Sequence, residues 1–271
     1  GDVPFAVVQE AALQACGWCA AYMGSALTAA EDLRFRNLGG SAVLRRSVPA
    51  GPGTLRTTVR CTGVSASAGM ILQHYAFAVR DDRAGAAAEA VYEGTTSFGF
   101  FSAAALEQQV GVQGVVLDRR PGGAPERAPG GAPFPGGRWR MLEEIELLLT
   151  DGGAHGLGHV RGGIDVDPGA WFFDAHFKGD PVWPGSLGLE AVVQALQVLA
   201  ARLFGLPAGA RFAATAPGVP HEWRYRGQVV PSARRVTVEC DATAVDAESR
   251  TLVADARLAA DGRVIYALNG F

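Results

Sequence analysis

Two apolar stretches of nearly equal length, Val7 to Gly24 and Leu187 to Phe204, come into register when the chain is slid along itself by 180 residues. Pro4 then falls on Pro184, Glu10 on Glu190, Ala11 on Ala191 and Gln14 on Gln194. Beyond the helices Arg34-Phe35-Arg36-Asn37 resembles Arg224-Tyr225-Arg226-Gly227, and the halves close on Gly99-Phe100 and Gly270-Phe271. A duplication of this kind restricts the chain to two copies of one unit. Each stretch is apolar nearly all round, as expected of a buried helix and not of an amphipathic surface one. Strand-like runs follow the first helix at Leu33–Phe35, Ala42–Val48, Thr54–Thr62, Met70–Val79 and Ala90–Phe98. The second copy has runs at Arg140–Thr150 and Gly158–Val166 before its helix. Others follow it at His221–Arg226, Arg234–Ala242, Thr251–Ala259 and Arg263–Leu268. Arg235-Val236-Thr237-Val238-Glu239-Cys240 alternates as a strand with one buried face does.

A break in composition separates the copies. Of the 17 residues Pro121 to Gly137, six are Gly and five are Pro, and no helix or central strand survives that density of breakers. The expected organisation is a first unit over 1–117, a linker over 118–137, poorly ordered in its Gly/Pro run, and a second unit over 138–271. The copies differ at their starts, because only the second has strand-forming residues ahead of its helix. Either the first copy's opening strands lie upstream of residue 1, or another segment takes their place, since a bare sheet edge must be covered.

Composition excludes several classes. Lys plus Arg number 24 and Asp plus Glu 27, a net charge of −3 that gives no electrostatic reason to expect nucleic acid. No apolar run is expected to reach the length of about eighteen residues that a membrane span needs. The opening GDVPFAVVQEAALQ has acids and no basic start, unlike a signal peptide, so a cytoplasmic protein is expected. Four cysteines in 271 residues are too few for a disulfide framework. Cys16 and Cys19 have the C-x-x-C spacing but sit inside an apolar helical run with no second pair, where buried thiols act as small hydrophobes. His155 and His159 lie in a glycine-rich extended stretch that would not hold both rings on one face. No metal site is expected.

Chemistry concentrates in Trp171 to Glu190. The run reads as a strand ending near His176, turns at Asp180-Pro181 and Pro184-Gly185, and a buried helix with Ser186 as its N-cap. His176 supplies a base that titrates near neutral pH. The amides around Gly185 and Leu187 point out of a helix N-terminus, where a developing oxyanion is stabilised. Glu190 is an acid one turn into an apolar helix, where desolvation should raise its pKa and keep it a proton donor.

These residues, His176-Phe-x-Gly-Asp-Pro-Val-x-Pro-Gly-x-Leu-Gly-Leu-Glu190-Ala-x-x-Gln194, closely resemble the signature of the β-hydroxyacyl-ACP dehydratases of the hot-dog fold. The β-hydroxydecanoyl-ACP dehydratase/isomerase branch is the nearest, and Tyr225 to Pro231 resembles it too. The first half, through Gln14 to Leu27 and Asp32 to Leu38, is similar to the leading hot dog of the tandem dehydratase regions in polyunsaturated fatty acid synthases. The resemblance implies an α+β double hot dog, each copy a long helix wrapped by a curved antiparallel sheet, with the active site between them. It implies His176 as base, Gly185 as the oxyanion donor, and Glu10 of the first copy as the facing acid, with Glu190 left to the other pseudo-site. Pro184, Gln194 and Gln14 are expected beside the substrate. The isomerase branch usually has Asp where both acids here are Glu, a departure that bears on double-bond isomerisation. In the first copy Phe5 stands where Gly185 stands in the second (185 − 180 = 5), so one working site is expected.

The implied reaction is dehydration of a 3-hydroxyacyl thioester to a trans-2-enoyl thioester with no cofactor. The implied partners are an acyl thioester on acyl carrier protein, other domains of a megasynthase, and a second copy of the chain as a homodimer. A non-catalytic acyl-binding or scaffold hot dog is the alternative. A hot-dog thioesterase ranks lower, because that class lacks the His-x4-Pro-x2-Pro-Gly arrangement. A coenzyme A-linked hydratase would differ mainly in carrier.

Overall fold

The computed structural model describes residues 1–67, 69–85, 89–118, 120, 122, 126–127, 136–207, 209–213 and 215–271. Along the chain come α1 (Phe5–Tyr22), β1 (Arg34–Leu44), β2 (Leu55–Ser67), β3 (Met70–Asp81), β4 (Tyr92–Phe101) and α2 (Ala103–Glu107). The short β5 (Glu126–Arg127), then β6 (Glu144–Leu149), β7 (His159–Asp165), α3 (Trp171–Ala175) and α4 (Gly185–Leu203) follow. Four strands close the chain: β8 (Pro220–Tyr225), β9 (Arg235–Asp246), β10 (Thr251–Ala260) and β11 (Arg263–Asn269). Two compact units result, Gly1–Gln109 with Ala213–Tyr225, and Val110–Phe212 with Arg226–Phe271.

In the first unit the antiparallel order is β2-β3-β4-β1-β8, with α1 laid on β2, β3 and β4. The helix buries Phe5, Val8, Gln9, Ala12, Leu13, Cys16 and Ala20, the three- and four-residue spacing of one helix face. Its other side departs from the expectation of all-round burial, since Trp18 and Tyr22 stack on each other 68% and 79% exposed. The segment of residues 213–225 departs from the expected boundaries: it belongs with the first unit, where β8 covers the edge of β1 from Gly39↔Arg224 to Val43↔Pro220. Close approach makes that seat possible. A Cβ at Gly40 would stand 2.4 Å from the Thr95 carbonyl and 2.5 Å from the Trp223 ring, and the Trp223 indole N–H donates to Asn37 Oδ1 at 2.9 Å.

In the second unit the order is β11-β10-β9-β7-β6-β5, with α4 against β7, β9 and β10. The helix is longer and more apolar than expected, enough by length and composition to cross a membrane, but most of it is buried inside the unit. A Cβ at Gly188 would meet the Tyr266 ring at 2.6 Å, so the bare position is what lets helix and sheet touch. On the opposite sheet face, residues from Val110 onwards pack as a strap. Val112 donates its N–H to Val264 O, and Val112, Val115 and Leu117 pack with Ala259, Val264 and Ala267. The Asp118 N–H donates to both Glu239 carboxylate oxygens, and Arg161 donates to the carbonyls of Asp118 and Arg120. The second unit therefore begins before the expected linker. Of the Gly/Pro-rich run, residues 121, 123–125 and 128–135 lie outside the described residues, so the expectation that it is poorly ordered does too.

The seat of β8 on β1 generates a prediction. Gly40→Ala forces a methyl against a backbone carbonyl and a buried indole, and should cost about 1–3 kcal/mol of stability, the usual range for overpacking. Denaturant unfolding followed by tryptophan fluorescence measures it, and an unchanged midpoint would contradict this packing.

Candidate active site

His176 is held by backbone on both sides. The expected strand before it is the short helix α3, because its N–H donates to Phe172 O at 2.9 Å and closes a helical turn. The aromatic run Trp171-Phe172-Phe173 has strand-like composition, yet Phe172 and Phe173 are buried at consecutive positions, which a strand with one covered face does not allow. After His176 the chain doubles back: Phe177 and Asp180 exchange backbone hydrogen bonds of 3.1 Å, and Val182 N–H donates to His176 O at 2.8 Å. The Val182 carbonyl then accepts from His176 Nδ1 at 3.0 Å. A carbonyl only accepts, so Nδ1 carries a hydrogen and the neutral ring keeps its lone pair on Nε2. Trp183 N–H donates to Val229 O at 2.9 Å and fastens this turn to the segment before β9.

Pro184, not Ser186, occupies the N-cap of α4, and its carbonyl accepts from Leu187 and Gly188. Gly185 is the first helical residue and is half-exposed between buried Pro184 and buried Ser186. At a helix start, amides and the helix dipole favour negative charge.

Glu190 lies further along the same helix, 9% exposed, and its Oε1 accepts from Gln194 Nε2 at 3.0 Å. Burial pushes its carboxyl up, outweighing the opposing pull of Gln194. Gln194 is fully buried and its amide is also committed to backbone, donating to Trp139 O at 2.7 Å and accepting from Met141 N–H at 3.1 Å. It acts as a clasp between α4 and the segment ahead of β6. Trp139 and Met141 carry no sequence signal for this role.

The first copy repeats the pair in a different setting. Glu10 Oε1 accepts from Gln14 Nε2 at 3.1 Å, but Glu10 is half-buried and Gln14 exposed. Phe5, at the position of Gly185, is buried edge-on against Tyr92 and His221 at 5.5 and 5.3 Å, so the start of α1 is filled by a ring. Among the described residues no group of three side chains could hold a metal ion. Cys16 is buried with its thiol pushed up to about 12 by desolvation, His155 is exposed, and His159 is buried with Nδ1 2.9 Å from Asp241.

Residues 134–269, which include the whole His176 to Gln194 segment, match the FabA-like domain. The chain belongs to the FabA-like domain family. Over 301 aligned positions it is 32% identical to a polyunsaturated fatty acid synthase polypeptide of Thraustochytrium sp. (strain ATCC 26185 / S-3), covering 99% of this chain and 20% of that protein. The chain thus spans about a fifth of this relative's length. Among solved structures, one described as an oleoyl thioesterase from Lactobacillus plantarum has a TM-score of 0.57 at 13% identity, covering 100% of this chain and 88% of that one. The dehydratase domain from the CurJ module of curacin polyketide synthase has 0.51 at 12%, covering 100% and 81%. At such identities the likeness speaks to the fold, and the fold is α+β, a double hot dog.

The raised carboxyl at Glu190 has a signed consequence. A carboxyl whose pKa is higher folded than unfolded costs stability as pH rises above its unfolded value of about 4.3. Glu190→Gln should therefore melt above the parent at pH 7, with the difference shrinking towards zero below about pH 4. Melting both proteins across about pH 3.5 to 8 is the check, and a gap that widens on acidification would contradict it.

Proposed function

We propose that this FabA-like chain dehydrates 3-hydroxyacyl thioesters, presented on acyl carrier protein, to trans-2-enoyl thioesters. The observation that carries the reading is the pinning of His176 Nδ1 to Val182 O, which leaves Nε2 as the basic nitrogen on the turn that leads into α4. Nε2 takes the α-proton, and the electrons of that C–H bond become the new carbon–carbon double bond. Charge that gathers on the thioester oxygen meets the helix start at Gly185. As the C3–O bond breaks, a protonated glutamate gives its proton to the leaving hydroxide and water departs.

We assign that donor to Glu10, following the exchange of acid between copies that the motif resemblance implies. A specific observation favours a second reading: burial pushes Glu190 towards its neutral form, the form a proton donor needs. The relative from Thraustochytrium, part of a synthase, supports a setting among other synthase domains with the acyl chain on a carrier. The Glu at both acid positions, where the isomerase branch usually has Asp, keeps double-bond isomerisation outside this reading.

Hydration of a trans-2-enoyl thioester, the reverse reaction, tests these roles. His176→Ala should lose at least about a hundredfold in rate, the low end for one acid–base group, while melting like the parent. Parental turnover in that variant would remove His176 as the base, and no turnover by the parent would leave an acyl-binding domain. Glu10→Gln should lose about as much as His176→Ala, and Glu190→Gln far less. The reverse order would move the donor to Glu190.

A further inference from the structure

Two arginines of the second unit are not spent inside its fold. Arg161, Arg235 and Arg257 pair with carboxylates on the outer face of the sheet. Arg138 and Arg140 are exposed, and among the described residues neither pairs with a carboxylate, that of the exposed Asp174 on α3 included.

These cations are nevertheless held firmly. The backbone around them is pinned from inside by the fully buried Gln194, which donates to Trp139 O at 2.7 Å and accepts from Met141 N–H at 3.1 Å. A single 3-10 turn over Gly137–Trp139, closed by Arg140 N–H donating to Gly137 O at 3.2 Å, leaves both flanking side chains in solvent. The Arg138 guanidinium lies over the Trp171 ring, 5.8 Å from its centre. Stacking of that kind orders the cation by its flat face and keeps its edge N–H groups for another partner. Trp171 and Trp139 stay 40% and 38% exposed beside it.

The place of this corner gives it meaning. Trp171 opens α3 and His176 caps the same helix five residues on (176 − 171), about 7 Å along its axis. Gln194, which pins the arginine segment, also donates to Glu190 at 3.0 Å. The corner therefore borders both the turn that carries His176 and the helix that carries Glu190. Two arginines on a segment fixed in advance suit a phosphate, whose oxygens accept charge-assisted bonds from the guanidinium edge.

We propose that Arg138 and Arg140 bind the phosphate at the head of the pantetheine arm that brings the acyl thioester to His176, with Arg138 held ready on Trp171. This rests on the dehydratase reading above. Phosphate and thioester sulfur stand at opposite ends of that arm, and the long chain between them spans the separation of Trp171 and His176. The same phosphate ester occurs on acyl carrier protein and in coenzyme A. The bound form is the carrier's, the one the proposed reaction uses.

The test follows hydration by the full 271-residue chain of crotonyl thioesters of pantetheine, phosphopantetheine, coenzyme A and acyl carrier protein. In the parent the phosphate should raise kcat/KM over plain pantetheine at least about tenfold, chiefly through KM, as bonds to a charged group do. Arg138→Gln/Arg140→Gln should remove that gain. The readout is a ratio of two substrates on one protein, so general damage to the fold cancels. The carrier-borne thioester should lose at least as much in the variant as the phosphopantetheine thioester. A parent indifferent to the phosphate, or a variant that keeps the preference, would overturn the proposal. A coenzyme A thioester that alone loses rate in the variant would overturn the carrier as the source. Titration calorimetry of phosphopantetheine against pantetheine reads the same preference without turnover. A parent that hydrates no thioester therefore sinks the dehydratase reading, while a binding preference for phosphate that the variant lacks still supports the arginine subsite.

Discussion

A helix with Leu187, Leu189, Ala191, Val192, Ala195, Val198 and Leu199 all out of water exists only inside a sheet that wraps it. Burying each such leucine or valine contributes about 1.5–3 kcal/mol, so α4 is the chief apolar mass of the second unit and its position is not negotiable. That position dictates the rest. Gly188 admits Tyr266, Gln194 ties the helix to Trp139 and Met141, and Pro184 presents the helix start where the His176 turn ends. His176 and the helix N-terminus are placed by the same backbone bonds. Val182 both fixes the imidazole tautomer and stands two residues before the N-cap. The proposed chemistry needs groups fixed before substrate arrives, and a turn with these internal hydrogen bonds would supply that.

The outer face of the same sheet is held differently. Glu239 and Asp241, almost without solvent contact, face Arg161, Arg257 and His159, and a buried charge left alone would cost several kcal/mol. Arg235 joins Glu144, Glu146 and Asp165, so three strands are stitched together by one guanidinium. The strap from Val112 reaches this network at Asp118, whose N–H donates to both oxygens of Glu239, while Arg235 and Asp165 stay partly exposed. In the first unit Arg56, Thr58 and Arg60 of β2 are exposed, and Arg56 pairs with Asp82. The copies share a scaffold and differ in which polar groups are satisfied internally.

Much of this was legible in the residues, because apolar periodicity and turn chemistry are local. Both long helices, most strands and the duplication follow from spacing alone, and His176, Gly185 and Glu190 stand out because a turn and a helix start place them in one stretch of chain. The misreadings have non-local causes. Trp171-Phe172-Phe173 has strand-like composition, but one backbone bond from His176 to Phe172 makes it a helix. The run at 220–225 was recognisable as a strand, but its seat on β1 depends on the bare Gly40 and on the Asn37–Trp223 bond between distant residues. All-round apolarity of α1 suggested full burial, whereas the sheet covers one face and leaves Trp18 and Tyr22 out. Nothing in the spacing of Gln194 announces that its amide is spent on Trp139 and Met141, since both partners are backbone groups.

Duplication explains why the halves diverged unequally. A Glu followed four residues later by Gln survives in both helices, and in both the amide donates to the carboxylate at about the same length, 3.1 and 3.0 Å. That bond depends only on helical geometry and is inherited with the helix. What the carboxyl can do depends on its surroundings, which are not inherited in the same way. Gln194 is locked by two backbone groups and Glu190 is desolvated, whereas Gln14 faces solvent and Glu10 is only half-buried. At the helix start one residue decides the matter. Glycine at 185 puts no side chain at the helix start, and phenylalanine at 5 turns the same position into core, packed on Tyr92 and His221. A ring buried there stabilises the first unit by the very contact that fills the start of its helix, so under the proposed function the packing of Phe5 and the absence of a second site are one change.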